Sequence, residues 1–151
     1  MEILFVCTGN ICRSPLADGY ARYLVERAGK DWLIDSVGTG GWHVGEAPDA
    51  RAQKVARRRG YSISGLRGRQ LSPDDFRAFD HLVALDSSHL DFLHRHAPDN
   101  ASARISLLSD WCEGGPVDIE DPYYQDDAAF DRAADEIEAC VTELVRRLAA
   151  R

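Results

Sequence analysis

The chain has 151 residues, 44% hydrophobic and 28% charged, with a formal net charge of -7. That size and balance fit a single globular domain over residues 1–151 with one sizeable core. The acidic excess argues against nucleic acid or an anionic membrane surface as partner, so an anionic substrate would have to be gripped by local donors.

No stretch reaches the roughly 20 apolar residues of a membrane span. The N-terminus has no basic n-region of a signal peptide. The four cysteines, Cys7, Cys12, Cys112 and Cys140, therefore read as reduced thiols in a cytoplasmic protein.

Residues 2–7 are a short, nearly continuous apolar run, the pattern of a strand buried on both faces of a parallel sheet. A Thr-Gly-Asn turn follows, and a helix opens with Ser14 as N-cap and Pro15 at the first helical position. Leu16, Tyr20, Leu24 and Ala28 recur at helical spacing until Gly29. Residues 32–37 read as a second strand and residues 49–59 as a helix stopped by Gly60. A short helix is expected over 73–79, a third strand over 81–85, and a helix capped by Ser87 through about residue 96. Residues 104–108 give a fourth strand, and a Gly/Pro-rich acidic loop spans 109–127. A final helix carries Phe130, Ala134, Ile137, Val141, Leu144 and Leu148 along one stripe. Strands alternating with helices predict an α/β doubly wound domain. Such domains bind ligands beyond the carboxyl ends of their strands, where strand order switches. The first strand ends at Cys7.

The segment Cys7-Thr8-Gly9-Asn10-Ile11-Cys12-Arg13-Ser14 lies between that strand and a helix start. Successive backbone N–H groups there can form an anion-binding nest, reinforced by the helix dipole. Gly9 and Asn10 are residue types that tolerate the positive φ of a tight curl. Arg13 supplies a planar fork for two phosphate oxygens, and surroundings of that kind stabilise a thiolate at Cys7. A thiolate aimed at bound phosphorus gives in-line attack and a cysteinyl-phosphate intermediate. Cys12, five residues along the same loop, is either packing or a disulfide partner for an oxidised Cys7. Cleavage of a phosphate ester with a poor leaving group needs a positioned acid to protonate the departing oxygen. By spacing alone Asp118, Glu120 and Asp121 are all candidates; Pro122 restricts Asp121 to extended conformations. Trp42, in a glycine-rich loop, and Tyr123 and Tyr124, in the acidic loop, are aromatics able to wall a slot for a phenyl ring.

Val6 to Pro15, reading Val-Cys-Thr-Gly-Asn-Ile-Cys-Arg-Ser-Pro, resembles the signature of the low-molecular-weight protein tyrosine phosphatases of bacterial type. The similarity extends over nearly the whole chain through Asp35-Ser36, Gly40-Gly41-Trp42-His43-Val44-Gly45, Arg69-Gln70, Asp75-Phe76, Phe79-Asp80 and Asp121-Pro122-Tyr123-Tyr124. The resemblance implies a flavodoxin-like, four-stranded parallel sheet with helices on both faces. It implies hydrolysis of tyrosine-phosphorylated proteins without cofactor or metal, with Cys7 as nucleophile, Arg13 as phosphate clamp and Asp121 as general acid. Thr8, Gly9, Asn10, Ile11 and Cys12 would line the phosphate site. Asn10, Ser14 and Ser36 would brace the loop, Ser14 also helping the thiolate to leave. Two positions depart from the family pattern: Leu66 stands where histidine is frequent, and His89 where many relatives have asparagine.

Other signals compete weakly. Cys7-x4-Cys12 and His89-x4-His94 imitate zinc-ligand pairs, but 76 residues separate them, far beyond a finger's gap. Arg57, Arg58 and Arg59 with Arg67 and Arg69 form a basic cluster, either a solvated face or a means of selecting acidic protein substrates. An arsenate reductase on this fold needs further redox cysteines near the third strand, and residues 82–89 contain none. Protein arginine phosphatases resemble this loop but typically carry threonine where Ile11 stands. A flavin phosphate loop needs neither Cys7 nor Arg13.

Overall fold

The computed structural model describes residues 1–114 and 118–151. Gly115, Pro116 and Val117, part of the acidic loop expected over 109–127, lie outside the described residues. Four parallel strands, β1 (Glu2–Cys7), β2 (Leu33–Gly38), β3 (His81–Ala84) and β4 (Arg104–Leu107), form one sheet in the order β2-β1-β3-β4. The flavodoxin-like, doubly wound expectation is thus met. β1 sits at the switch in strand order, with Cys7 beside Gly38 of β2 and Val6 beside Ala84 of β3.

The period-2 alternation of β1 assigns its two faces. Ile3, Phe5 and Cys7 join a core built with α1 (Arg13–Arg27), α2 (Ala50–Arg58) and α5 (Asp127–Ala149). Leu4 and Val6 face the other way, onto α3 (Asp75–Ala78) and α4 (Ser87–His96). Every residue of β1 from Ile3 to Val6 is fully buried, which is why the segment reads as an unbroken apolar run. Burying one such side chain is worth about 1.5–3 kcal/mol, and together they hold the strand end that carries Cys7. The stripe on α5 (Phe130, Ala134, Ile137, Val141, Leu144, Leu148) lies wholly in the first core, as its spacing predicts.

Element ends differ from the sequence reading wherever a side chain has other work. Ser14 does not cap α1; the N-cap is Cys12, and Ser14 is the second helical residue, its hydroxyl turned onto Cys7. Asp86, rather than Ser87, caps α4, accepting hydrogen bonds from the Ser88 and His89 amides. Asp49 caps α2 and Asp126 caps α5.

The reduced-thiol expectation holds for Cys7 and Cys12, which are free, and not for Cys112 and Cys140, which form a disulfide. A 3-10 turn (Leu108–Trp111) delivers Cys112 to the inward face of α5, leaving the two Cα atoms 4.8 Å apart. A separation of 28 residues hides that approach from a sequence reading. The bridge closes a loop of that length, an entropic constraint worth about 3–4 kcal/mol. Alkylation of unreduced protein, followed by peptide mass mapping, should label Cys7 and Cys12 while a Cys112–Cys140 peptide survives. Cys112→Ser should lower Tm without changing catalysis per folded molecule; four labelled thiols in unreduced protein would remove the tether.

Candidate active site

The loop after β1 curls around the Cys7 sulfur. The Asn10 amide donates to Cys7 Sγ at 3.3 Å, and Ser14 Oγ lies 2.9 Å from the same sulfur. Asn10 Nδ2 donates to Ser14 Oγ at 2.8 Å, and the serine proton is then shared between Cys7 Sγ and the Val37 carbonyl at 3.4 Å. Asn10 alone takes positive φ, at 59°; Gly9 does not need it. Gly9 is small for another reason, since a Cβ there would stand 3.0 Å from the His43 ring.

A second segment braces this curl from outside. The Arg69 amide donates to Asn10 Oδ1 at 2.9 Å, while the Arg69 guanidinium spans Asp35 and Asp75. Gly38, at the end of β2, receives that segment through Gly38 N to Arg69 O and Leu71 N to Gly38 O. On the other side, Thr39 N and Gly40 N donate to the carbonyls of Cys7 and Thr8.

Arg13 opens α1 and is 3% exposed. Its Nη1 donates to Asp86 Oδ2 at 2.8 Å and to the Ile119 carbonyl at 3.0 Å, and its Nη2 stands 3.6 Å from Asp121 Oδ2. Burial would raise the Asp86 pKa, but hydrogen bonds from Ser88 and Arg13 outweigh it and hold the carboxyl at about 2. Asp86 is therefore a permanent counter-charge to the guanidinium.

The three carboxylates left open by spacing are separated here. Asp118 is tied to the start of α4, accepting from Ser87 N at 2.7 Å and Ser87 Oγ at 3.1 Å. Glu120 pairs with Arg132. Asp121 alone of the three lines the cavity above Cys7, its Oδ1 accepting from the Tyr123 amide.

That cavity, of about 480 Å³, is lined by the loop residues Cys7, Thr8, Gly9, Ile11, Cys12 and Arg13, by Asp121, and by the aromatic rings of Trp42, Tyr123 and Tyr124 together with His43. Cys7 is at its buried end, 3% exposed, whereas Trp42 (73%) and Tyr124 (92%) stand at the rim. Cys12 is a buried thiol packed into the core; burial, the largest influence, and Asp49 push its pKa up.

Two groups escaped the sequence reading. His43 lines the cavity and pairs with Glu46; its position next to Trp42 was the available signal. Arg51, from α2, donates to the carbonyls of Tyr123 and Gln125 and so holds the loop that carries Asp121. No local pattern marks that role. Ser36, expected to brace the phosphate loop, makes its side-chain contact with α1 instead of with the loop itself. Its hydroxyl donates to buried Asp18 of α1 at 2.9 Å, because Ser36 pairs with Phe5, two residues short of the loop. The basic cluster is committed in part, and Arg57 is exposed. Arg58 and Arg59 pair with Asp131, Asp135 and Glu138 of α5, and Arg67 donates to the carbonyls of Ser64 and Leu66. Leu66 itself packs against the core.

A Cβ on Gly38 would meet the Thr8 carbonyl at 2.7 Å, a backbone contact that no rotamer change relieves. Gly38→Ala should therefore displace the phosphate loop and lower kcat/KM about 10²-fold, with a correspondingly weaker inhibition by inorganic phosphate. Unchanged kinetics would show that β2 does not set the loop position.

The family model described as "Low molecular weight phosphotyrosine protein phosphatase" matches residues 2–151. A low molecular weight protein-tyrosine-phosphatase of Streptomyces coelicolor is 42% identical over 150 residues, covering 95% of this chain and 91% of the relative. Among solved structures, a protein tyrosine phosphatase from Entamoeba histolytica superposes with a TM-score of 0.94 at 31% identity, covering 99% of this chain and 97% of the other. The Drosophila arginine phosphatase superposes with a TM-score of 0.92 at 33% identity, covering 98% of both chains. The chain belongs to the low molecular weight phosphotyrosine protein phosphatase family.

Proposed function

We propose that this protein hydrolyses phosphotyrosine in protein substrates, with Cys7 as nucleophile, Arg13 as phosphate clamp and Asp121 as general acid. The observation that carries the reading is one cavity with the Cys7 sulfur at its buried end, Asp121 on its wall and aromatic rings at its rim. A phenyl phosphate fits that order of groups, with phosphate innermost and ring between Trp42, Tyr123 and Tyr124.

In the first step the Cys7 thiolate attacks phosphorus, and the bond from phosphorus to the phenolic oxygen breaks. The Asp121 proton goes to that oxygen, so tyrosine leaves neutral. In the second step water attacks the thiophosphate, Asp121 takes its proton, and the thiolate departs with the Ser14 hydroxyl at 2.9 Å to receive its charge. Arg13 and the backbone N–H groups of Thr8 to Cys12 would carry the charge of the equatorial oxygens in both steps. The reading calls on no cofactor or metal.

The similarity to an arginine phosphatase bears on substrate choice. Ile11 on the cavity lining favours an aromatic ester over a guanidinium phosphoramidate. A cytoplasmic site of action is part of the proposal, since a thiol nucleophile needs reducing surroundings. Among the described residues no helix is long and apolar enough to cross a membrane. The Cys112–Cys140 bridge runs the other way, since Cys112 is half-buried and both cysteines line a surface cavity open to soluble thiols.

The test uses phosphotyrosine and phosphoarginine peptides side by side. Cys7→Ser should lose turnover yet still bind inorganic phosphate, and Arg13→Ala should lose both. Asp121→Ala should slow phosphotyrosine by about 10²–10⁴-fold and p-nitrophenyl phosphate much less, because its leaving group needs little protonation. A larger leaving-group dependence in Asp118→Ala or Glu120→Ala would reassign the acid, and faster turnover of phosphoarginine would reassign the substrate.

A further inference from the structure

One buried polar group touches the phosphate loop from outside the cavity and has no part in the chemistry above. His89, in the first turn of α4, is 2% exposed and does not line the cavity. Its Nε2 lies 2.8 Å from Thr8 Oγ1, and its own amide donates to Asp86 Oδ1 at 3.1 Å; Nδ1 stands 3.2 Å from the same oxygen without forming a hydrogen bond. Asp86 divides its two oxygens. Oδ1 accepts from the amides of Ser88 and His89, and Oδ2 accepts from Arg13 at 2.8 Å. A continuous polar chain thus runs from Thr8 through His89 and Asp86 to Arg13.

The ring is neutral. Burial, the largest influence, drives its pKa down to about 4, and Arg13 acts in the same direction against Asp86, Asp121 and Asp118. A neutral imidazole has one N–H. With Nδ1 making no hydrogen bond, Nε2 and Thr8 Oγ1 form one hydrogen bond whichever of the two donates. Thr8 is the residue after Cys7, and its carbonyl already accepts from Gly40 N at 3.1 Å. Its side chain is held by α4 and its main chain by the segment after β2.

We propose that His89 is a positioning residue that couples Thr8 to the carboxylate holding Arg13, so that the loop amides and the guanidinium keep one relative geometry around a bound phosphate. This rests on the phosphatase reading in that it concerns the same anion site, but it is a statement about phosphate binding as well as turnover. Loop and clamp come from different ends of the segment between β1 and α1. Without a cross-link each could relax separately when the phosphate becomes trigonal bipyramidal. The Thr8–His89–Asp86 chain ties both to α4, which is the element at the switch in strand order.

A double-mutant cycle on the full chain tests it, with Thr8→Val, His89→Ala and the double variant. The readouts are kcat/KM for p-nitrophenyl phosphate and, by calorimetry, the Kd for inorganic phosphate. Each single change removes the same hydrogen bond and should weaken both quantities about tenfold; the double variant should be no worse than either. His89→Gln, whose terminal amide reaches the position of Nε2 and can still hydrogen-bond to Thr8, should recover most of the loss. If His89→Ala fails to fold, as judged by its melting curve, the cycle is run with His89→Gln and Thr8→Val, and phosphate binding by His89→Gln should then fall to the Thr8→Val level only when combined with it. Losses that multiply in the double variant, a Gln variant no better than Ala, or wild-type phosphate affinity in His89→Ala would overturn the proposal. Failure of the phosphatase reading would appear differently, as absent turnover in the wild type, while the phosphate-binding cycle would still report the coupling.

Discussion

The pair between Arg13 and Asp86 is the constraint around which the site is built. A guanidinium 3% exposed cannot remain charged without a partner, and Asp86 supplies one at 2.8 Å. Removing Asp86 would leave the buried guanidinium with only the Ile119 carbonyl and the more distant, half-exposed Asp121. The pair spans the topological switch, because Arg13 follows the loop after β1 and Asp86 follows β3. Asp86 also caps α4, and Arg13 reaches the Ile119 carbonyl just before the acid loop. One ion pair therefore fixes the relative positions of α1, α4 and the segment that carries Asp121. Any anion that enters the cavity meets a guanidinium that is already oriented and already desolvated.

With the clamp fixed, the curl of the loop has to be fixed against it. A chain of nest-forming amides has no stability of its own when empty, because its N–H groups converge and repel one another. Here side chains hold it open. Asn10 takes the one left-handed residue of the curl and uses both ends of its amide, donating to Ser14 and accepting from Arg69 N. Arg69 is in turn pinned between Asp35 and Asp75. The loop is thereby held by the sheet edge beyond β2 on one side and by α4 on the other. Its geometry is set before a ligand arrives, which is what electrostatic preorganisation requires.

Most of the fold could be read from local pattern. β1 is apolar on both faces because it is central and covered on both faces, and the α5 stripe has helical spacing because only one side of that helix is buried. The proposed nucleophile and clamp were legible for a related reason: Cys7 and Arg13 are six residues apart in one loop, so their juxtaposition is encoded locally. What could not be read was set by contacts between distant segments. Ser14 has the composition of a cap, and only its approach to Cys7 shows that its hydroxyl is needed elsewhere. Ser36 lies near the loop in the resemblance, but the register of β2 turns it toward Asp18. Arg51 and His89 act across more than 70 residues of sequence, and the choice among Asp118, Glu120 and Asp121 depends on non-local contacts of Ser87 and Arg132 with the first two.

The charge distribution follows from the same division between local and distant. With a net charge of -7, the protein as a whole repels phosphate. Several arginines that would offset this are paired elsewhere: Arg58 and Arg59 join α2 to α5, and Arg69 joins the segment that braces the loop to Asp35 and Asp75. Attraction for the anion is confined to Arg13, the loop amides and the N-terminus of α1. These donors are buried, so they act where screening by salt is weak, while most of the acidic side chains are exposed and screened over about 8–10 Å. An anion that reaches the cavity mouth has therefore already crossed the region where the unfavourable field is damped, and it enters one where the favourable field is not. Selectivity for a phosphate monoester then comes from the fit of a dianion to a fixed set of donors, with the aromatic rim deciding which leaving groups may accompany it.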